Sequence, residues 1–300
     1  MLIWLPVVCG AFMGQRGSLD ASISHISKRY RPRFLLLICL VCCACATSAQ
    51  AITINSSFDS ANSEPGPATW AGGGSLLGIF NTAASYWQNA VTQDRDINIV
   101  YRWADSSQIG GGVLGLAGFC NPPGACTALI RFNRDFNWFI DGTPTFQEEY
   151  NNFTESTADF GGGEMNTGRV FTGATGDAAG RFDLLSVALH EIGHVVGING
   201  GAPNNGTEYT ISSPRPLDGS LIPKTGGHIN LSGANMNPGI GSSTRRLLTE
   251  ADILVAAEHM SAAANEINLN PSALPEPSTL VLQIFVILGY ASSRRRIRRA

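Results

Sequence analysis

Apolar residues recur at helical spacing between Leu76 and Val91 and form one continuous stripe. The stripe consists of Leu76, Phe80, Ala83, Ala84, Trp87 and Val91. A repeat near 3.6 residues is typical of an amphipathic helix that buries one face. We therefore expect a helix here, as the first element of the main body of the protein.

A different pattern follows, because apolar and polar residues alternate over 97–103 and so predict a half-buried strand. Two short apolar segments, 113–117 and 128–132, predict further strands on either side of a cysteine-containing loop. Residues 143–180 are rich in Gly, Asn, Thr and Asp and show little periodicity. We expect a loop there.

The apolar stretch 183–194 predicts a long helix, with Asp183 as its N-cap. Residues 197–243 are again loop-like in composition. A last helix is expected from Thr249, which forms a capping-box pattern with Asp252. Helices and strands are thus segregated along the chain, which favours an α+β fold over an alternating α/β one.

Composition narrows the class of protein. With 44% hydrophobic and 14% charged residues, the 300-residue chain is neither disordered, nor a coiled coil, nor collagen-like. Its net charge of -3 hides an uneven distribution, since ten of the 20 basic residues lie in the two end segments. Residues 52–277 hold 10 basic and 22 acidic residues, a net charge of -12. Such a domain is not expected to bind nucleic acid.

The start of the chain is organised like a secretory signal peptide. A basic region at 28–33 runs into the apolar stretch 34–46, and Ala49-Gln50-Ala51 favours cleavage after Ala51. The part before the basic region is long, and Met13 is an alternative start. We expect residues 1–51 to be a leader and residues 52–270 to form the mature domain.

Only Cys120 and Cys126, of seven cysteines, lie in the mature domain. The Pro-Pro-Gly turn between them and an oxidising compartment favour a short disulfide-closed loop. Two unpaired cysteines are the alternative. A structural zinc pair is less favoured, because no second cysteine pair completes four ligands.

The most informative motif is His190-Glu191-Ile192-Gly193-His194. Two imidazoles four residues apart share one face of a helix and can reach a single zinc ion. Zinc lowers the pKa of bound water to about 7, and the neighbouring Glu191 can take up its proton. The motif therefore predicts a hydrolytic zinc site.

Residues 182–197 resemble the active-site helix of the metzincin zinc proteases, particularly the matrixin-like branch, with Gly197 completing the pattern HExxHxxG. The resemblance implies a small twisted mixed sheet, a long active-site helix and a C-terminal helix. It also implies a zinc ion held by histidines, with Glu191 as the general base.

Other segments extend the resemblance. Asn235-Met236-Asn237-Pro238 resembles the Met-turn of that family, which implies that Met236 lies beneath the metal. Residues 128–133 resemble the edge strand that lies over the substrate cleft. The helix from Thr249 resembles the closing helix of the family.

The third zinc ligand departs from the compact form of the pattern, because the expected position holds Gly200. His228, Asp218 and His259 are the downstream candidates. His228 lies eight residues before Met236, as in leishmanolysin-like metzincins, and is the predicted ligand beside His190 and His194. Asp218 remains the alternative, and His259 is expected to be an ordinary polar residue of the last helix.

The end of the chain, 271–300, contains Pro275-Glu276-Pro277, an apolar run and Arg294-Arg295-Arg296. This order resembles the PEP-CTERM sorting signal of Gram-negative bacteria. It implies transient anchoring in the inner membrane, cleavage by an exosortase and release to the cell surface or extracellular matrix. A plain anchor is the alternative, although about 12 apolar residues span only about 18 Å of a core that is about 30 Å thick.

These observations predict a secreted zinc endopeptidase that carries one zinc ion, acts on a peptide or protein substrate and uses Glu191 as general base. The alternative is a non-catalytic metal-binding surface or matrix protein. Gly200 favours that alternative, whereas Glu191, which metal binding alone does not need, favours the enzyme. The acidic and glycine residues of 159–177 also allow a structural calcium ion, without the usual alternation of carboxylates.

Overall fold

The computed structural model describes residues 52–118, 120, 122–199 and 206–272. The expected leader, nearly all of the expected sorting segment and Gly200 lie outside the described residues. Among the residues that are described, no helix is both long and apolar enough to cross a membrane.

Helix α1 (Leu76–Ala90) forms where the apolar stripe predicts it. It begins at Ser75, whose hydroxyl accepts a hydrogen bond from the Gly78 amide and so satisfies one free N–H of the first turn. Phe80 and Trp87 are fully buried. Burial of a side chain such as Phe80 stabilises the fold by about 1.5–3 kcal/mol.

The main sheet lies against this helix and contains four strands. They are β1 (Thr53–Phe58), β3 (Asp96–Ala104), β5 (Thr127–Asn133) and β4 (Gly115–Ala117), adjacent to one another in that order. The first three are parallel to one another, and β4 is antiparallel to β5. Phe80 of α1 stacks on Tyr101 of β3, with ring centroids 4.1 Å apart.

The expectation that 128–133 forms the edge strand is wrong. Strand β5 is interior, because β3 pairs with one of its sides and β4 with the other. The edge is β4, which returns antiparallel beside β5. Cys120 and Cys126, in the connection between these two strands, form a disulfide.

The loop expected over 143–180 is also wrong, because most of it is a long antiparallel hairpin. Strand β7 (Tyr150–Asp159) pairs with β8 (Glu164–Ala174), and β13 (Arg245–Arg246) pairs with the other side of β8. Nearly every residue of β7 is exposed, so no apolar alternation marks it in the sequence. Its turn is held by Asp159, whose carboxylate accepts hydrogen bonds from the amides of Gly161 and Gly163.

Two further helices, most of whose residues are buried, lie in the core of the protein. Helix α3 (Leu184–Val195) begins at Asp183, whose carboxylate accepts from the Ser186 amide. Helix α4 (Glu250–Met260) begins with the expected capping box of Thr249 and Asp252. The predicted starts of both helices are thereby confirmed.

The remaining elements are short. They are β2 (Trp70–Ala71), α2 (Ser106–Ile109), β6 (Trp138–Phe139), β9 (Phe182–Asp183), β10 (Glu208–Thr210), β11 (Leu221–Thr225) and β12 (His228–Ile229). Strands β2, β6 and β9 form one small sheet, and β10, β11 and β12 form another. Together with the larger sheets and helices they make a mixed α+β fold around one main core.

A buried ion cluster fixes the start of α3. Arg245 of β13 is fully buried and donates to Asp183 at 2.8 Å and to Asp141 at 2.7 Å. Its guanidinium also donates to the carbonyl oxygen of Phe146. A buried charge needs partners of this kind, because leaving it unpaired would cost about 3–5 kcal/mol. The cluster ties α3 to the hairpin sheet.

Candidate metal centre

Three histidine rings meet at the middle of α3. His190 and His194 are one helical turn apart and share a face. His228 comes from β12, which forms a tight hairpin with β11 through Gly226, a residue in the left-handed region at φ 56°. The ring centroids of the three histidines lie 4.8–5.1 Å apart, and their candidate ligand nitrogens all lie within 4.8 Å of one another.

Backbone groups hold all three rings. The Nδ1 atom of His190 lies 2.9 Å from the carbonyl oxygen of Asn235, and that of His194 lies 2.6 Å from the carbonyl oxygen of Ile198. His228 is hydrogen-bonded to the backbone of Thr225. A carbonyl partner keeps the proton on Nδ1 and leaves Nε2 of His190 and His194 free to bind a metal ion.

Burial favours the uncharged form of all three rings, which is the form that binds a metal ion. Burial lowers the pKa of His190 well below its usual 6.5 and the pKa of His194 to about 4. Burial also lowers the pKa of His228. Neutral imidazoles with oriented rings are good ligands for a divalent cation.

These residues fit zinc. Zinc accepts imidazole nitrogens at about 2.1 Å in tetrahedral geometry, so neighbouring ligand atoms lie roughly 3.4 Å apart. The candidate ligand nitrogens lie within 4.8 Å of one another, so small rotations of the histidine side chains bring them to the distances that zinc requires. Three protein ligands also leave one coordination position open, which is the arrangement of catalytic rather than structural zinc sites.

Glu191 lies next to this cluster and is only 4% exposed. Its side chain packs directly against Gly115 of β4, where any Cβ atom would overlap it. The Ala117 amide, also of β4, donates a hydrogen bond to its carboxylate. Burial raises the pKa of Glu191 to about 8. A nearby divalent cation would lower that pKa again and so favour the ionised carboxylate.

Met236 packs against α3 at Gly193. It is fully buried, and a Cβ atom added at Gly193 would overlap its sulfur. Its carbonyl oxygen accepts from the Ile229 amide at 3.0 Å, which joins the turn around Met236 to the strand that carries His228.

Asp252 fixes the turn around Met236 by hydrogen bonds, a role that no sequence pattern predicted. Its two carboxylate oxygens accept hydrogen bonds from the amides of Asn235 and Met236, each at 3.0 Å. The capping pattern with Thr249 marked Asp252 as the cap of a helix, but nothing in the sequence indicated its second set of partners.

The other candidates lie elsewhere. Asp218 is exposed and outside the cluster, and His259 packs against Gly197 and the ring of Tyr209. Within the described part of the chain, the three histidines are the one group of three or more His, Cys, Asp or Glu residues with ligand atoms this close together. Asp159 of the suggested calcium segment is engaged by the hairpin turn.

A cleft of about 590 Å³ opens over the histidines and Glu191. Edge strand β4 forms one side and residues 237–240 form another. Apart from Glu191 and the three imidazoles, no lining residue has an ionisable side chain. The apolar side chains of the lining belong to Val113, Leu114, Leu116, Ala117, Phe136, Phe182, Val187, Pro238 and Ile240.

No family model, curated protein or solved structure matches this chain. The function of the cleft is therefore inferred from its own residues.

Proposed function

We propose that this protein is a zinc-dependent endopeptidase with a metzincin-like fold. One observation carries the proposal: His190, His194 and His228 converge beside the buried carboxylate of Glu191 in a cleft open to solvent. A metal-storage or structural site needs the ligands but not an adjacent base.

Zinc, when bound here, would lower the pKa of a water ligand to about 7 and polarise a substrate carbonyl group. Glu191 would take a proton from the attacking water as the new C–O bond forms. The same carboxyl group would then pass the proton to the amine that leaves as the C–N bond breaks. Ala117 keeps Glu191 in place through its amide.

The surroundings suit a peptide. Strand β4 is an edge strand with β5 on one side. Apart from the Ala117 amide, which donates to Glu191, its outer backbone groups can pair with an extended chain. The apolar lining suits apolar substrate side chains. The histidine helix and the buried turn at Met236 support a metzincin-like fold, with β4 rather than residues 128–133 as the edge strand beside the cleft.

We further propose that the enzyme works outside the cytoplasm. The disulfide between Cys120 and Cys126 suits an oxidising compartment. The leader at 1–51 and the sorting segment at 271–300 support export, exosortase processing and delivery to the cell surface or matrix.

Metal removal tests the proposed function directly. The purified protein should contain about one zinc ion per chain and should cleave casein or a mixed peptide library. A chelator should abolish cleavage, and added zinc should restore it, because three neutral ligands form a reversible site. Zinc-free protein with full activity would overturn the proposal.

Gly115→Ala should reduce hydrolysis without loss of zinc. The three atoms nearest to the added methyl group all belong to the side chain of Glu191, so we expect the base to be displaced while the ligands remain. Because misplacement of a reacting group by about 1 Å costs about 100-fold, we expect a drop of that order in kcat.

Gly111→Ala is the matched control, since a Cβ atom at Gly111 meets no other atom within 4 Å. Zinc content and kcat are measured for both variants. Equal kcat in Gly115→Ala and the parent would show that the position of Glu191 does not matter.

A further inference from the structure

We propose that Arg246 is a positioning residue that holds residues 237–240, here called the cleft wall, and so sets the selectivity of the cleft for an apolar substrate side chain. This inference rests on the proposed peptidase function. Arg246 does not line the cleft, and neither its charge nor its position in the sequence marks it as part of the site.

The backbone of Arg246 is fixed to the histidine helix. Its neighbour Arg245 is buried in the ion cluster with Asp183, the residue that caps α3. The amide of Arg246 itself donates to the hydroxyl of Ser186, in the first turn of α3, at 2.8 Å. Arg246 is therefore anchored to the helix that carries His190 and His194.

The side chain of Arg246 reaches from that anchor to the wall. Its Nη1 atom donates to the carbonyl oxygen of Gly239 at 2.7 Å and to that of Ala234 at 3.4 Å. These carbonyls lie on either side of Met236 in the chain, Ala234 at the start of its turn and Gly239 in the wall that follows. The Gly239 amide, in contrast, turns back to Asn237 at 3.2 Å, inside the wall. Arg246 thus links the wall to the metal-binding helix.

Stability alone does not account for an arginine here. The Nε atom of Arg246 is buried and has no hydrogen-bond partner among the described residues. Burial of the guanidinium carries a desolvation cost, which the two carbonyl contacts and the attraction of the nearby Asp252 carboxylate offset in part. A long apolar side chain would pack at this position with no such penalty, but it could not hold the wall by its carbonyl oxygens.

The wall matters for selectivity because it faces the apolar part of the cleft. Ile240 of the wall shares the lining with Val187 and Phe182. In a well-shaped apolar pocket, one methylene group changes the reaction rate by about 10-fold to 200-fold. A wall that moves loses this discrimination, because large and small side chains then fit nearly alike.

The test compares Arg246→Met with the parent and with Arg169→Met. Arg169 is a suitable control because it also donates to a backbone carbonyl, that of Leu248, and pairs with Glu155 outside the cleft. Each full-length variant is assayed for zinc content, thermal unfolding and cleavage of a peptide library. In this library each position in turn holds leucine, phenylalanine or alanine. Hydrogen exchange of 234–241 is measured in parallel.

We expect Arg246→Met to keep its zinc and its unfolding temperature. At the position where the parent most prefers leucine or phenylalanine over alanine, that preference should fall at least tenfold, mainly through KM. Exchange at 234–241 should accelerate, whereas exchange in α3 should not. Arg246→Lys should restore part of the preference, because an ammonium group can still reach the Gly239 carbonyl. Arg169→Met should match the parent.

Two results would overturn the inference. One is a parent-like preference together with parent-like exchange in Arg246→Met. The other is an equal loss of kcat/KM for every peptide accompanied by a lower unfolding temperature, which marks a structural role only. If the parent binds zinc but cleaves no peptide, the proposed function fails, and the exchange measurement still decides whether Arg246 holds the wall.

Discussion

Glu191→Gln is expected to retain zinc and to lose peptide hydrolysis by about 10²-fold to 10⁴-fold, the usual contribution of a general base. The amide has nearly the same shape as the carboxylate, so it fits against Gly115 and can still accept from the Ala117 amide. It cannot take up a proton from water. The loss should therefore appear in kcat at unchanged zinc content.

Glu208→Gln makes the same chemical change at an exposed position and serves as the control. Hydrolysis of one peptide and zinc content are measured for the parent and both variants. A Glu191→Gln variant as fast as the parent would exclude Glu191 as the base. If the parent and both variants bind zinc but the parent itself hydrolyses no peptide, the non-catalytic metal-binding protein is favoured instead.

His228→Ala is expected to lose both the metal and the activity. His190 and His194 alone leave zinc with two protein ligands, fewer than the three of catalytic zinc sites. Changes in the outer shell of such sites already cost about 10-fold to 100-fold in metal affinity. Removal of a direct ligand should thus weaken zinc binding by more than about 100-fold, as measured by competition with a chromogenic chelator.

Asp218→Ala is the matched comparison, because Asp218 was the alternative ligand and lies exposed outside the histidine cluster. It should keep its zinc and change the free energy of unfolding by no more than about 0.5 kcal/mol. Full zinc occupancy in His228→Ala would refute the assignment of that ligand. Loss of zinc in Asp218→Ala alone would transfer the role to Asp218.

Elements that depend on neighbouring residues were predictable from the sequence. Helix α1 follows from its apolar stripe, and helices α3 and α4 begin at the predicted caps, Asp183 and Thr249. Caps and helical periodicity involve residues within about four positions of one another, so the sequence contains the whole interaction.

Elements that depend on partners distant in the sequence could not be predicted from it. The edge position of β4 results from which strand pairs with which side of β5, and short apolar segments give no such order. The exposed strand β7 has no apolar alternation, since its partner β8 separates it from the core. A strand of this kind is recognisable only by its hydrogen-bonded neighbour.

The sequence by itself determined the pairing of His190 with His194, the place of Glu191 between them and the short cysteine loop, because each is a matter of local spacing. Only the tertiary structure decided that the ring of His228, and not Asp218, lies beside that pair. It alone also brought Asp252 under the Met236 turn and Arg246 to the cleft wall. The physical reason is that these contacts join residues far apart in the chain, so they depend on the path of the whole fold.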